Sequence, residues 1–206
     1  MGIQGDTKPV TLVEDTAVPV WSLPDYARDF GQIMEAHDTR CVYYAHASVG
    51  ELHLRPELSL KSREDAERFR SIATEVTDLV KEYRGALSGE HGDGRLRSPM
   101  LEQFYGESIM AMHARIKDAF DPDGIFNPGK IVDPEAIDAD WRVTPGESMP
   151  EFDTVFDWSD DQGFLRSVEK CNGAGVCRQH AGQGRTMCPS YMATREEKDS
   201  TRGRAN

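Results

Sequence analysis

The chain has 206 residues, of which 38% are hydrophobic and 29% charged, as expected for a globular protein of one or two domains. Its formal net charge of −12 argues against nucleic-acid binding by the main body, because phosphates require a basic surface. No apolar run reaches the roughly 18 residues that a membrane span needs, and MGIQGDTKPV lacks the features of a signal peptide, so we expect a cytoplasmic protein.

Strand and helix patterns alternate through the first half of the chain. Residues 10–20 predict a β-rich segment, and apolar residues at helical spacing predict a helix over 23–38 with Ser22 as its N-cap. The segments CVYYAHA and GELHLRP then predict two strands that are joined by a short link.

A long helix is predicted over residues 62–85, with Ser62 and Asp65 as a capping pair and Gly85 as its stop. After it we expect a strand with a glycine-rich loop, a helix, and a turn with an extended exit, in ALSGEHGDGRLR, residues 99–120 and DPDGIFNPGKIV. This order predicts an α+β fold with helices packed on a mainly antiparallel sheet.

The sequence divides into two modules. Residues 1–132 form the α+β domain, and residues 133–160, rich in Pro, Asp and Gly, are expected to form a linker. Residues 161–206 predict a small irregular or helical segment that contains three of the four cysteines. From Leu165 onward eight Lys/Arg outnumber four Asp/Glu, a net charge of +4 that leaves −16 for the preceding part.

One predicted strand carries ionisable residues on a single face. The alternation in GELHLRP points Leu52 and Leu54 toward the core. The opposite face then carries Glu51, His53 and Arg55. A solvated strand face accounts for the charged pair, but it accounts less well for His53 together with a second histidine, His46, at the start of the hairpin.

A second polar group lies in the glycine-rich segment GEHGDGR. Glu90 and His91 are adjacent, so an extended backbone would point them in opposite directions, whereas a curved loop could bring them to one site. Two histidines and one glutamate are a common ligand set for zinc or a similar divalent ion, with coordination places left for substrate. Ordinary polar loop residues in a sheet domain are the alternative, and spacing alone leaves both open.

Four segments together resemble a known family. VEDTAVP, HASVGELHLRP, SGEHGDGR and AFDPDGIFNPGKI, over roughly residues 8–132, are similar to the C-terminal cap domain of FAD-linked oxidases. This vanillyl-alcohol-oxidase-like group includes D-lactate, glycolate and D-2-hydroxyglutarate dehydrogenases. The resemblance implies a ferredoxin-like α+β cap that covers the substrate side of an FAD held by another domain.

The resemblance also implies roles for individual residues. His46, His53 and Glu90 match ligands of a divalent metal such as zinc or manganese, and His91 matches the base that takes a proton from the substrate hydroxyl. The family's GDGNLH stretch is replaced here by ASVGELH. Arg55 stands where asparagine is common, and it is either a ligand for a substrate carboxylate or a surface arginine.

The segment FNPGK resembles the family's exit segment, which returns to the flavin domain. By this resemblance Asn127 and Lys130 are cofactor-binding residues on the flavin side. The alternative is a simple turn followed by a strand.

The cysteine-containing segment resembles the opening of a two-cluster ferredoxin module that is fused to some bacterial members of the group. Cys171 and Cys177 are spaced as the first and third ligands of a 4Fe-4S motif, but Ala174 stands at the middle place. Cys188 precedes a proline and would serve the second cluster. A zinc site of these three cysteines with His180 is the rival, and a disordered segment whose ligand site is empty is the third possibility.

We therefore expect part of a longer flavoenzyme that oxidises a small 2-hydroxy acid and passes electrons from FAD to iron–sulfur clusters. The FAD-binding and second-cluster regions would lie outside this sequence, and the chain alone would be inactive. A non-catalytic metal-binding or interaction module with the same cap fold is the runner-up. The individual hydroxy acid and the electron acceptor stay open.

Overall fold

The computed structural model describes residues 3–171, 173–178, 188–200 and 203. The chain separates into two compact units, Gly5–Pro150 and a smaller unit formed by Met1–Gln4 with Glu151–Asn206. Among the described residues, no helix combines the length and the apolar character needed to cross a membrane.

A small antiparallel sheet organises the larger unit. Its strands are β1 (Lys8–Pro9), β2 (Thr16–Ala17), β3 (Cys41–His46) and β4 (Glu51–Leu58). β4 is central, with β1 and β2 along one edge and β3 along the other, and each pairing is antiparallel.

The last predicted strand of this domain is reduced to a single bridge. Ala86 forms a single antiparallel bridge with Ala17. In the described segment that follows the long helix, no strand longer than this bridge forms. The order across the sheet is therefore the Ala86 bridge, β2, β4 and β3, which is the split β-α-β-β-α-β arrangement of ferredoxin-like folds. The predicted α+β class with an antiparallel sheet is confirmed.

Two amphipathic helices, α1 (Leu23–Ala36) and α2 (Arg63–Glu82), supply most of the core that packs on the sheet. Of the five apolar residues at helical spacing in α1, Tyr26, Phe30 and Met34 are buried, and Leu23 and Ile33 are partly buried against the same core. From β4, Leu52 and Leu54 join the same core, as the strand alternation predicts. The core lies between the helices and one face of the sheet.

The helix ends differ in part from expectation. Ser62 caps α2, since its Oγ accepts a hydrogen bond from the Asp65 N–H at 3.3 Å, but the Ser22 side chain makes no capping bond at α1. At the end of α2 the left-handed residue is Arg84, with φ +52°, and not Gly85. The Gly85 N–H donates to the Val80 carbonyl at 2.9 Å, which completes a Schellman motif.

Gly85 has another role, which is the close approach of two backbones. A Cβ at this position would overlap the carbonyl oxygen of Ala17. Ala86 next to it exchanges both backbone hydrogen bonds with Ala17, at 2.8 and 3.0 Å. Glycine is therefore required because the bridge to β2 leaves no room for a side chain.

The predicted helix over 99–120 is broken into shorter helices. After α3 (Gly94–Arg97) come α4 (Leu101–Tyr105) and α5 (Glu107–Phe120), separated by Gly106 with φ +83°. Beyond α5 the Asp121 carboxylate accepts the backbone N–H groups of Ile125 and Phe126 at 2.9 Å each, which closes the turn.

Part of the predicted linker belongs to the larger unit. The Trp141 ring packs edge-on against Phe69 at 5.0 Å, and Ile137 also lies on the core. The division between the units falls after Pro150, so the stretch 133–150 of the predicted 133–160 linker packs with the α+β unit.

Where the structure describes it, the smaller unit is irregular, with two short helices, α6 (Phe164–Val168) and α7 (Pro189–Thr194), and single 3-10 turns. This matches the irregular or helical character expected for the cysteine-containing segment. The expected boundaries 1–132 and 161–206 remain predictions.

Two glycines give a matched test of this packing. Gly31 lies inside α1 with open space at its Cβ position, so Gly31→Ala should stabilise the protein by about 0.5–1 kcal/mol. Gly85→Ala should instead lower the free energy of unfolding, because the new methyl group meets the backbone of Ala17. Urea denaturation of both variants measures the difference, and equal effects of the two substitutions would contradict the close approach.

Candidate functional site

The face of the sheet opposite the helices carries the ionisable residues. In the register of β3 and β4, Tyr44 pairs with His53 and His46 pairs with Glu51. Because side chains alternate across a strand, these four residues project from one face, away from Leu52 and the helices. The strand alternation thus concentrates two histidines, a glutamate and a tyrosine on one surface.

This surface is not the solvated strand face that was one reading of the sequence. The side chains of Glu51 and His53 are each only 7% exposed. The loop of residues 88–91 lies over them, and a Cβ at Gly89 would stand 3.0 Å from the carboxyl carbon of Glu51. The loop can lie this close to the sheet because position 89 has no side chain.

Glu90 is the meeting point of three histidines. Its Oε1 lies 3.5 Å from His46 Nε2, 3.5 Å from His53 Nε2 and 3.3 Å from His91 Nε2. The predicted ligands and the predicted base therefore lie together, although Glu90 and His91 are adjacent in sequence. The curvature of the loop produces this convergence, which an extended backbone would prevent.

The spacing of Glu90 from each predicted histidine ligand fits a divalent cation, because ligands bound to zinc at about 2.0–2.1 Å in a tetrahedron lie about 3.4 Å apart. The group whose potential ligand atoms all lie within 4.8 Å of one another consists of Asp15, His53, Glu90 and His91, and it does not include His46. Imidazole nitrogens with carboxylate oxygens suit zinc or manganese.

Ring stacking restrains the histidines. His53 lies between Tyr44, with ring centroids 5.4 Å apart and planes at 17°, and His91, at 5.2 Å and 15°. The His46 ring meets His53 edge-on at 5.0 Å. Three imidazoles and a phenol therefore support one another around Glu90.

Asp15, which the residue-by-residue sequence analysis did not single out, lies beneath this group and is fully buried. Its carboxylate accepts the backbone N–H groups of Glu90 at 3.0 Å and His91 at 2.9 Å, and it also accepts the Ser88 hydroxyl. Arg97, itself buried, donates to it at 3.2 Å. The only sequence signal was the position of Asp15 inside the VEDTAVP segment of the resemblance.

Asp15 and Glu51 are neighbouring carboxyl groups whose pKa values move in opposite directions from their usual range. A hydrogen bond to Asp15, reinforced by burial and by the charge of Glu90, raises the pKa of Glu51 to about 7. Burial works to raise the pKa of Asp15 as well, but its hydrogen bonds outweigh burial and hold that pKa well below the usual range. Asp15 is therefore the ionised partner, and Glu51 keeps its proton below about pH 7.

Arg55 lies at the edge of the site with its side chain 41% exposed. Its Nε donates to Glu14 Oε2 at 2.7 Å, and Glu14 Oε1 lies 3.8 Å from His91 Nδ1. The guanidinium is thus tied to Glu14 and stands near the predicted base. Its role toward a substrate remains a prediction.

Asn127 and Lys130 are exposed and belong to a different surface. They line a cavity of about 610 Å³ beside α5 and the turn that follows it. The other lining residues include His113, Ile116, Phe120, Phe126 and Ile131.

The three clustered cysteines belong to the smaller unit. Cys171 is exposed, whereas Cys177 and Cys188 are partly buried, and Ala174 between the first two is exposed. Cys188 Sγ lies 3.5 Å from the carbonyl oxygen of Asp199. His180 lies outside the described residues, so both the iron–sulfur reading and the zinc reading stay predictions.

Curated proteins similar to this chain are dehydrogenases and oxidases by name. The D-2-hydroxyglutarate dehydrogenase of Pseudomonas putida is 37% identical over 207 residues, and that of Escherichia coli K12 is 34% identical over 202 residues. These alignments cover 99% and 98% of this chain but 20% of each relative, so the chain spans about a fifth of their length. The glycolate oxidase subunit GlcD of Bacillus subtilis is 34% identical over 137 residues, or 66% of this chain and 28% of its own.

The domain family described as "FAD linked oxidases, C-terminal domain" matches residues 1–131. This range contains the whole sheet, the two long helices and the residues that converge on Glu90. With more than half of its length matched, the chain belongs to the C-terminal domain family of the FAD linked oxidases.

Proposed function

We propose that this chain is the substrate-side part of an FAD-dependent oxidoreductase that acts on the CH–OH group of 2-hydroxy acids, working in the cytoplasm. The convergence of His46, His53 and His91 on Glu90 carries this proposal. Family membership and the names of the relatives support it. D-2-hydroxyglutarate is the first substrate to test, because the dehydrogenases named for it match nearly the whole chain.

His91 is the proposed base for the substrate hydroxyl. Its side chain is 43% exposed, so a substrate can reach the ring, while the stacking contact with His53 restrains its orientation. One ring nitrogen faces Glu90 and the other faces Glu14, at 3.3 and 3.8 Å. A positioned imidazole of this kind can accept the hydroxyl proton while bound FAD supplies the hydride-accepting chemistry.

His46, His53 and Glu90 are the proposed ligands of a divalent ion such as zinc or manganese. When bound, such an ion supplies Lewis-acid polarisation of the hydroxyl oxygen. The chain's own contribution is a fixed set of donors: His53 is held in a ring stack between Tyr44 and His91, and the loop backbone places Glu90.

Arg55 is the proposed contact for a carboxylate of the substrate. It stands on the same strand face as His53 and its side chain is partly exposed. Glu14, which accepts from Arg55 Nε, fixes the guanidinium beside His91. A guanidinium held in this way can offer its remaining N–H groups to a carboxylate.

The surface around Asn127 and Lys130 is the proposed contact with the flavin-holding part of the protein. Residues spaced along one side of α5 leave apolar surface exposed, with Met112 at 54%, Ile116 at 56% and Phe120 at 85%. Contiguous exposed apolar surface of this kind usually marks an interaction site. The relatives, five times longer than this chain, contain the additional polypeptide that could cover it.

Cys171, Cys177 and Cys188 are the proposed iron–sulfur ligands, receiving electrons from the flavin. Alignments that cover 98–99% of this chain extend across the cysteine-containing segment in the D-2-hydroxyglutarate dehydrogenases. A 4Fe-4S cluster uses four sulfur ligands, so these three do not complete one and Ala174 adds none. The remaining ligands would come from other parts of a longer protein.

The metal site can be tested on the chain itself. Calorimetric titration with Zn²⁺ and with Mn²⁺ should show one site. Loss of a residue that only contacts a metal ligand weakens metal binding by roughly 10- to 100-fold, so His53→Ala, which removes a proposed ligand itself, should weaken it by more. His37→Ala is the matched control, because His37 pairs with Glu75 on the helical side at 2.8 Å. Retention of the metal by the His53 variant would contradict the site and point to the cysteines.

The activity is testable by segment exchange. We expect a Pseudomonas putida D-2-hydroxyglutarate dehydrogenase whose matching segment is replaced by this chain to reduce a dye with D-2-hydroxyglutarate. His91→Ala should lower kcat by about 10²- to 10⁴-fold. Arg55→Lys should mainly raise KM, by about tenfold or more, because a hydrogen bond to a charged group contributes roughly 1.5–3 kcal/mol.

The control for this exchange is His37→Ala, which should leave both constants unchanged. A folded, FAD-loaded hybrid that reduces no dye with D-2-hydroxyglutarate, glycolate or D-lactate would contradict the proposed activity. It would favour the alternative of a non-catalytic metal-binding or interaction module with the same fold.

The iron–sulfur proposal is tested by elemental analysis of the anaerobically purified hybrid enzyme, whose remaining parts can supply the missing ligands. We expect iron with an equal amount of acid-labile sulfide, and less of both when Cys171 and Cys177 are changed to Ser. Zinc bound without sulfide, and lost in the same variant, would instead support the rival cysteine–histidine site.

A further inference from the structure

We propose that Asp15 is the positioning residue that holds Glu90 and His91 in their working arrangement. The roles of Glu90 as metal ligand and His91 as base rest on the proposed function. The holding of the loop by Asp15 does not, and it can be measured separately.

Asp15 contacts four consecutive residues of the loop. Its backbone carbonyl accepts the Gly89 N–H at 2.7 Å, and its side chain accepts the Ser88 hydroxyl. Oδ1 accepts the Glu90 N–H at 3.0 Å, while Oδ2 accepts the His91 N–H at 2.9 Å. One residue thus provides acceptors for every member of the segment 88–91.

The backbone of Asp15 is shaped for this task. Its φ is +82°, a region that non-glycine residues rarely adopt, and its own N–H donates to the Leu52 carbonyl on β4 at 3.0 Å. The strand edge thereby fixes the residue on the sheet while the side chain reaches the loop. Such unusual conformations persist where surrounding structure demands them, often at functional sites.

The geometry favours support over metal ligation by Asp15. Oδ2 already accepts from the Ser88 hydroxyl, the His91 N–H and the Arg97 guanidinium. Arg97 also balances the buried negative charge, and Asp15 is fully buried whereas Glu90 is 49% exposed. A carboxylate with these donors has little left to offer an ion, although its atoms lie within 4.8 Å of the other potential ligands.

Replacing Asp15 with asparagine tests its support of the loop, because the substitution hardly changes the size of the side chain. The amide offers one oxygen and one NH₂ group, so it cannot accept from both the Glu90 and the His91 N–H groups. At least one end of the Glu90–His91 peptide loses its anchor. The 3.3–3.5 Å convergence of histidine nitrogens on Glu90 Oε1 should then loosen.

The test compares Asp15→Asn with Thr77→Val in the 206-residue chain. Thr77 is a buried residue of α2 whose hydroxyl donates to the Ala73 carbonyl at 2.7 Å, so its variant removes a buried polar group away from the loop. In the metal-free protein, amide hydrogen exchange of Glu90 and His91, followed by NMR, should accelerate at least tenfold in Asp15→Asn. The same amides should change no more than the global average in Thr77→Val.

Zinc titration of the same proteins gives the second readout, and we expect a Kd raised about 10- to 100-fold in Asp15→Asn and unchanged in Thr77→Val.

Ser88→Ala, which removes one donor to Asp15, is the variant to use if Asp15→Asn does not fold. It should accelerate the hydrogen exchange of the Glu90 and His91 amides to a smaller degree. Glu90 and His91 amides that exchange as in the wild type in whichever variant folds would overturn the inference. Faster exchange in a chain that binds neither Zn²⁺ nor Mn²⁺ would support the positioning role and count against the metal site alone.

Discussion

Strand β4 has hydrogen-bonded neighbours along both of its edges. Its side chains alternate between the two faces of the sheet, and each face is partly covered by other parts of the chain. The leucines meet the helices, and this face is an ordinary hydrophobic core. Glu51 and His53 on the other face are equally buried, and buried polar groups require partners. The loop 88–91 meets that requirement in part: Glu90 lies 3.5 Å from His53 and Gly89 covers Glu51, although Glu51 Oε1 has no hydrogen-bond partner among the described residues. The sheet's pairing thus determines the site as well as the core.

Two adjacent buried carboxyl groups would be costly if both were ionised. The pair reduces this cost because the raised pKa of Glu51 lets it keep its proton below about pH 7, while Asp15 stays ionised among backbone N–H groups and Arg97. The ionised Asp15, balanced by Arg97, supports the loop that carries Glu90 and His91. On the proposed function, Glu90 and the imidazole nitrogens would then hold a zinc-like ion.

Local sequence patterns predicted the elements but not the contacts between them. The apolar spacing of α1 and α2 and the inward leucines of β4 follow from periodicity alone. The shortened last strand, the role of Gly85 beside Ala17 and the positive φ of Asp15 depend on residues distant in sequence. For Glu90 and His91 the local pattern left both divergence on an extended backbone and convergence in a curved loop open, and the resemblance added that they act together.

The burial of the site residues rises steadily from one side to the other. His46, His91 and Glu90 are 43–49% exposed, whereas His53 and Glu51 are 7% exposed and Asp15 is fully buried. A ligand must therefore approach from the side of Tyr44 and Glu90, since the loop and β4 close the other side. The buried half of the site keeps the donors in place, and the exposed half leaves Glu90, His46 and His91 accessible to a ligand.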